Sequence, residues 1–393
     1  MSVTAKIDTA PETAFCEEED SVPSGSAQSG SPLRGSRNPS PLDRARRAVA
    51  YADMPMPEDL PDRLGFAAGV PAGLRAVCAA ELSSPDIRFR DTITALKDLL
   101  PRASGVDAAR IAFMIDTAQA CDIDSHDHFF RIRRSAGSAP VAFLASQIRT
   151  LHVLQTELKS TPTTLDPARL VAMADAIRGT IAFAVGIEAP AGAALAITGT
   201  APTSEADGSI SRWVRGHQIF AALSQGLIFT LAALEQAERD DDAGTVSLTA
   251  GLVIELLHAS ATALELTGDF PAARYNASIR ISMDTPYFPA GFSGVLSRDH
   301  RQLVGRMKMM RPAIEAFERR DPGLHARIGV ALSAVYASHK HVCARFVEPD
   351  AASLLMAATA ERPATEQIDR FRKMRLRAWQ TTSGDTPSRD DEA

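Results

Sequence analysis

The sequence predicts an all-α protein, and three observations carry that reading. Apolar residues recur at spacings of three and four along most of the chain, alanine and leucine are abundant in those stretches, and convincing strand-length alternation is missing. Nothing along the 393 residues reads as a second beginning, so one large helical-bundle domain over about residues 40–382 is expected between two tails. The first tail, residues 1–39, turns from acidic at Glu17 to Ser/Gly/Pro-rich, and residues 383–393 are similarly polar. Such segments bury too little apolar surface to offset the entropy of ordering, so both are expected to be mobile.

The bundle opens at Ser40, which reads as an N-cap with Pro41 at the first helical position, and the helix should run towards Ala52. Further helices are expected over about 85–100, 106–121, 139–159 and 166–186. Ile210 to Arg239 carries one apolar face through Trp213, Ile219, Phe220, Leu223, Leu227 and Leu231, and should cross the core. A second core helix is expected from Thr245 to Leu266, where large aliphatic residues alternate with small ones that allow close helix approach. Met283 to Gly294 holds two prolines and two glycines, so it reads as a shaped loop. Ser297-Arg298-Asp299-His300 then opens a helix, and a last long one runs from about Leu324 to Val347.

Charge and cysteine usage narrow the function classes. A formal net charge of −6, with both signs interspersed, offers no basic stripe for a phosphate backbone or an anionic membrane surface, so neither nucleic acid nor membrane is an expected partner. The first residues lack an apolar core, and the apolar stretch from Thr180 to Ala201 is broken by Glu188, Pro190 and glycines, so no signal peptide or membrane span is read there. Cys16, Cys78, Cys121 and Cys343 lie far apart and form no Cys-x-x-Cys pair, which fits a reducing cytoplasm.

Three places could carry chemistry. His339 and Cys343 stand at i and i+4 on the last long helix, a spacing that puts their Cβ atoms about 5–6 Å apart on one face. With His300 they could form a zinc site, since zinc accepts nitrogen and sulfur, or all three could be core residues of a helical interaction protein. His341 points away from that face. Asp124 to Phe130 places His126 and His128 beside Asp127 and two aromatic residues, which reads either as a substrate pocket with an oriented imidazole or as a helix end with solvated histidines. The loop with Ser293, flanked by Arg280 and Arg298, could bring backbone N–H groups and a guanidinium to a carboxylate, or could be an ordinary connection.

His300, the 38 positions after it, His339 and Cys343 four further on together resemble the haem-attachment motif of the haem-dependent tyrosine hydroxylase family, above all the 3-methyl-L-tyrosine hydroxylases of saframycin biosynthesis. Ser278 to Arg280, Gly291 to Gly294 and Asp299-His300 are similar to that family's loop and axial-histidine helix. More distantly, Ile123 to Arg133 and Gln147 to Gln155 resemble the early helices of tryptophan dioxygenases, whose Gly/Ser-rich loop near the C-terminus is not recognisable here. The resemblance implies a tryptophan/indoleamine dioxygenase-like helical fold around a c-type haem. His300 and His339 would be the axial ligands, Cys343 would form a single thioether, and Arg280, Arg298 and Ser293 would meet the cofactor or substrate carboxylates. It also implies hydroxylation of L-tyrosine or 3-methyl-L-tyrosine ortho to the phenol with peroxide, or O2 and a reductant. His126 and His128 would be the catalytic pair and a homodimer the assembly. A bis-histidine haem sensor or carrier is the alternative from another class.

Overall fold

A computed structural model describes residues 41–60, 66, 68–85, 89–99, 122–135, 137–188, 191–197, 206–284, 294–347 and 363–380. The two expected mobile tails, the expected helix over 106–121, and residues 285–293 of the shaped loop, including Ser293, lie outside these described residues.

Helices α1 (Pro41–Ala48), α2 (Ala72–Leu82), α3 (Arg90–Leu99) and α4 (Asp122–Phe129) lead to the long elements. These are α5 (Ala139–Ser160), α6 (Pro167–Val185), α7 (Ala206–Arg239) and α8 (Ala243–Thr267). After a short irregular helical stretch come α9 (Arg298–Met309), α10 (Arg311–Arg320), α11 (Pro322–Phe346) and α12 (Ala364–Trp379). Their starts are set by local chemistry. Asp166, Asp242 and Asp321 each accept a hydrogen bond from a backbone N–H of the first turn of α6, α8 and α11, and Pro167 and Pro322 fill positions where a helix has no use for the N–H. Helix α6 stops at Gly186, whose φ of +77° is the left-handed conformation that glycine adopts without a Cβ penalty.

Helices α7 and α8 form the centre. They pack on each other, and α8 also packs on α6 and α11. Both are long and apolar enough to cross a membrane, yet 83% and 72% of their most apolar windows are buried within the fold. Gly216 sits where α7 meets the end of α8: a Cβ there would lie 2.7 Å from Thr267 Cβ and 2.9 Å from Thr267 Cα. Gly216→Ala is therefore expected to cost about 1–3 kcal/mol through overpacking, seen as a lower urea midpoint at unchanged slope.

Two expectations need correction. The chain contains a two-stranded parallel ribbon, β1 (Ala52–Met54) beside β2 (Ile132–Arg134), with Met54 opposite Arg134. Three residues are too few to display alternation in sequence, and the pairing depends on partners about eighty positions apart. The helix from Pro41 also ends at Ala48, because the chain straightens to pair, with Ala52 N–H donating to Arg131 O at 2.9 Å. Helices α2 and α12 were not anticipated.

The described core divides into a large cluster that draws on α2, α3 and α5–α12 and a smaller one. The smaller holds Phe129, Phe130, Trp213, Phe270, Tyr275, Val342 and Phe346, and the candidate residues gather around it.

Candidate functional site

Helix α11 presents His339 and Cys343 one turn apart, as their spacing predicts. His339 is half-buried and makes no hydrogen bond among the described residues, and burial lowers its pKa to about 4. It is a neutral imidazole with an available lone pair at ordinary pH. An imidazole removed from water without a hydrogen-bond partner is costly unless another group completes it. Burial pushes the Cys343 thiol up to about 11, so it stays protonated.

A second imidazole comes from α7. His217 stacks on Phe130 with ring centres 3.8 Å apart and packs against Trp213 at 4.6 Å. Its Nδ1 lies 2.7 Å from the Trp213 carbonyl, which can only accept, so Nδ1 carries the proton and Nε2 the lone pair. Burial drives its pKa down to about 3, and the ring is within electrostatic reach of both His126 and His339. His217 and His339 are both half-buried.

Helix α4 divides the predicted histidine pair. His126 is buried, its ring 4.9 Å from Phe130 and its Nδ1 3.7 Å from Asp127 Oδ1. His128 is exposed on the other side; burial of its ring and the neighbouring Arg46, Arg131 and Arg47 lower its pKa. Only His126 joins the interior group. Burial would raise the Asp127 carboxyl, but His126 and the Arg134 guanidinium hold it below the usual carboxylate range.

On the far side, Tyr275 stacks on Phe346 at 4.5 Å and meets Trp213 at 5.5 Å. Its hydroxyl is pushed up to about 12, first by burial, and it interacts with both Arg280 and Cys343. Tyr275 opens a single π-helical turn, Tyr275–Ile279, a local widening of the helix that is frequent at functional sites. Trp213 Nε1 is buried without an acceptor among the described residues.

His300 stands in the first turn of α9, its N–H 3.4 Å from the Ser297 hydroxyl, and is half-buried. Its neighbour Asp299 is fully buried and shares the Arg134 guanidinium with Asp127, which ties α9 to the segment of His126. Arg298 pairs with Glu58 at 3.6 Å nearer the surface. Among the described residues no three of His, Cys, Asp and Glu are grouped to hold a metal ion, so the zinc trio of His300, His339 and Cys343 does not form. His217, Trp213 and Tyr275 escaped the sequence reading. The one usable signal was a histidine four residues after Trp213 on the face of the longest apolar helix.

Fold and site together define a predominantly helical protein with neutral imidazoles and aromatic rings beside a protonated thiol. The family described as SfmD 3-methyl-L-tyrosine peroxygenase matches residues 53–326, and the chain belongs to that family. A curated relative, the 3-methyl-L-tyrosine peroxygenase of Streptomyces lavendulae, is 34% identical over 170 residues, which is 43% of this chain and 47% of the relative. The match thus spans about half the length of that relative. A crystal structure of reduced SfmD, obtained by soaking with sodium hydrosulfite, shares the fold at a TM-score of 0.58 and 20% identity, covering 74% of this chain and 96% of the other. The family match ends at residue 326, in the first turns of α11, so His339 and Cys343 lie beyond it.

Proposed function

We propose that this protein is a haem-dependent hydroxylase that inserts one oxygen atom ortho to the phenol of L-tyrosine or 3-methyl-L-tyrosine, in the biosynthesis of a tetrahydroisoquinoline peptide antibiotic. The observation that carries the reading is His339. It is a half-buried, neutral imidazole without a hydrogen bond among the described residues, one helical turn from a protonated cysteine and within electrostatic reach of His217, which also reaches His126. Family membership supplies the substrate class.

A neutral imidazole on His339 with a thiol one turn away at Cys343 suits the cofactor that the resemblance implies. His339 and His300 would hold the iron. Cys343 would hold the porphyrin edge through a single thioether. The aromatic rings of Trp213, Tyr275 and Phe346 offer flat apolar surface. When bound, haem supplies the redox chemistry with peroxide, or with O2 and a reductant. The chain's own groups do the rest. His126, beside Asp127, would take the phenolic proton, a task suited to an imidazole near neutral pH. Arg280 would meet the carboxylate of the amino acid or a propionate. The apolar walls exclude water from the ring being oxidised.

The test is an optical spectrum of the purified protein, the pyridine haemochrome, and product analysis after adding 3-methyl-L-tyrosine and hydrogen peroxide. A low-spin haem spectrum with a catechol product is the expected result, and a protein that stays colourless after reconstitution with haem would remove the reading. The thioether has its own check. Haem should stay on the acid-denatured parent chain and be extracted by acid-acetone from Cys343→Ala; free extraction from both would end the covalent assignment.

A further inference from the structure

We infer that Arg134 is a positioning residue that sets His126 and His300 relative to each other from outside the site; the inference rests on the roles proposed above for those two histidines. The guanidinium has five N–H donors, and the structure occupies all of them. Nε donates to Asp127 Oδ2 at 2.8 Å and Nη2 to Asp127 Oδ1 at 3.0 Å. Nη2 also donates to Asp299 Oδ2 at 2.7 Å, Nη1 to Asp299 Oδ1 at 3.0 Å, and Nη1 to the Pro55 carbonyl at 3.3 Å. Each carboxylate is thus gripped by two parallel bonds, and each belongs to the residue next to a candidate functional histidine.

The clamp is itself held. Arg134 ends β2 opposite Met54, and Gln225 of α7 donates to both Asp299 Oδ1 at 2.9 Å and Pro55 O at 3.0 Å. The three side chains are 13%, 9% and 1% exposed for Arg134, Asp127 and Asp299, so solvent screens the bonds little. Helices α4 and α9 are separated by more than 160 positions of chain, and Arg134 bonds a carboxylate from each. A planar fork can fix the angle between two carboxylates, whereas a lysine ammonium is a point charge that can neutralise them without fixing it. The positions of the two histidines therefore depend on the arginine's shape as well as its charge.

The test compares the parent with Arg134→Gln and Arg134→Lys, reading the histidine ring nitrogens by NMR on protein labelled at histidine. The ring signals of His126 and His300 should both shift in both variants. Those of His325, buried and 3.0 Å from the Trp379 carbonyl in another part of the bundle, should stay in place. In the haem-loaded protein kcat should fall about 10–100-fold with KM within a few fold of the parent, since partners of metal ligands act on this scale. Unmoved rings of His126 and His300, or equal movement of His325, would overturn the inference, the latter because Arg134 would then only support the fold. A parent without haem would sink the hydroxylase reading and leave the ring comparison to decide the role of Arg134.

Discussion

Arg212→Met is expected to destabilise the protein by about 3–5 kcal/mol, because it strips the partner from charges that are sealed inside. Arg212 on α7 is fully buried and donates to Glu157 of α5 at 2.8 Å, to the carbonyls of Thr161 and Asp269 at 2.9 and 2.8 Å, and lies 3.5 Å from the Asp269 carboxylate. Glu157 and Asp269 are 1% and 2% exposed. Methionine fills much the same volume but leaves two carbonyls without their donor and weakens the neutralisation of two buried carboxylates. Arg215→Met is the control. Its side chain is 23% exposed and its loss leaves Glu157 still paired to Arg212, so a loss of under about 1 kcal/mol is expected. Urea unfolding of the three proteins checks both figures. Because Arg212 directly precedes Trp213, the near-ultraviolet dichroism of that tryptophan should change in Arg212→Met even under conditions where the protein stays folded.

His339→Ala should have the largest effect on function. Residues that merely support a metal ligand cost about 10–100-fold when removed, so under the proposed role of His339 its loss should lower hydroxylation by at least about 100-fold and abolish the low-spin spectrum. Stability of the haem-free protein should move little, within about 1 kcal/mol, because His339 makes no hydrogen bond among the described residues whose partner would be stranded. A variant that keeps both the spectrum and the turnover would show that His339 is a core residue and nothing more. Addition of imidazole to the variant gives a second reading. Recovery of the low-spin spectrum would locate the missing ligand at the position the side chain vacated.

The long helices were legible because helical periodicity is a local property. The apolar face from Ile210 to Arg239 gave α7, the aliphatic and small residues from Thr245 to Leu266 gave α8, and the periodic positions from about Leu324 to Val347 gave α11, which starts two residues earlier at Pro322. The i, i+4 relation of His339 and Cys343 followed from the same geometry. The ribbon of β1 and β2 was not legible, since three-residue strands carry no alternation. Nor was the division of His126 from His128, which share a helix end and differ only in which side of it packs against Phe130 and which faces Arg46 and Arg131.

What the amino-acid sequence determined by itself is therefore the helical class, the order of the long elements and the spacing of the histidine and cysteine on α11, because each is fixed by neighbours within a few residues. Only the tertiary structure decided that His217, Trp213 and Tyr275 complete the site, and that one arginine at position 134 joins Asp127 to Asp299. Those contacts bring together positions up to about 165 residues apart, and their existence depends on how whole helices pack, which no local periodicity encodes.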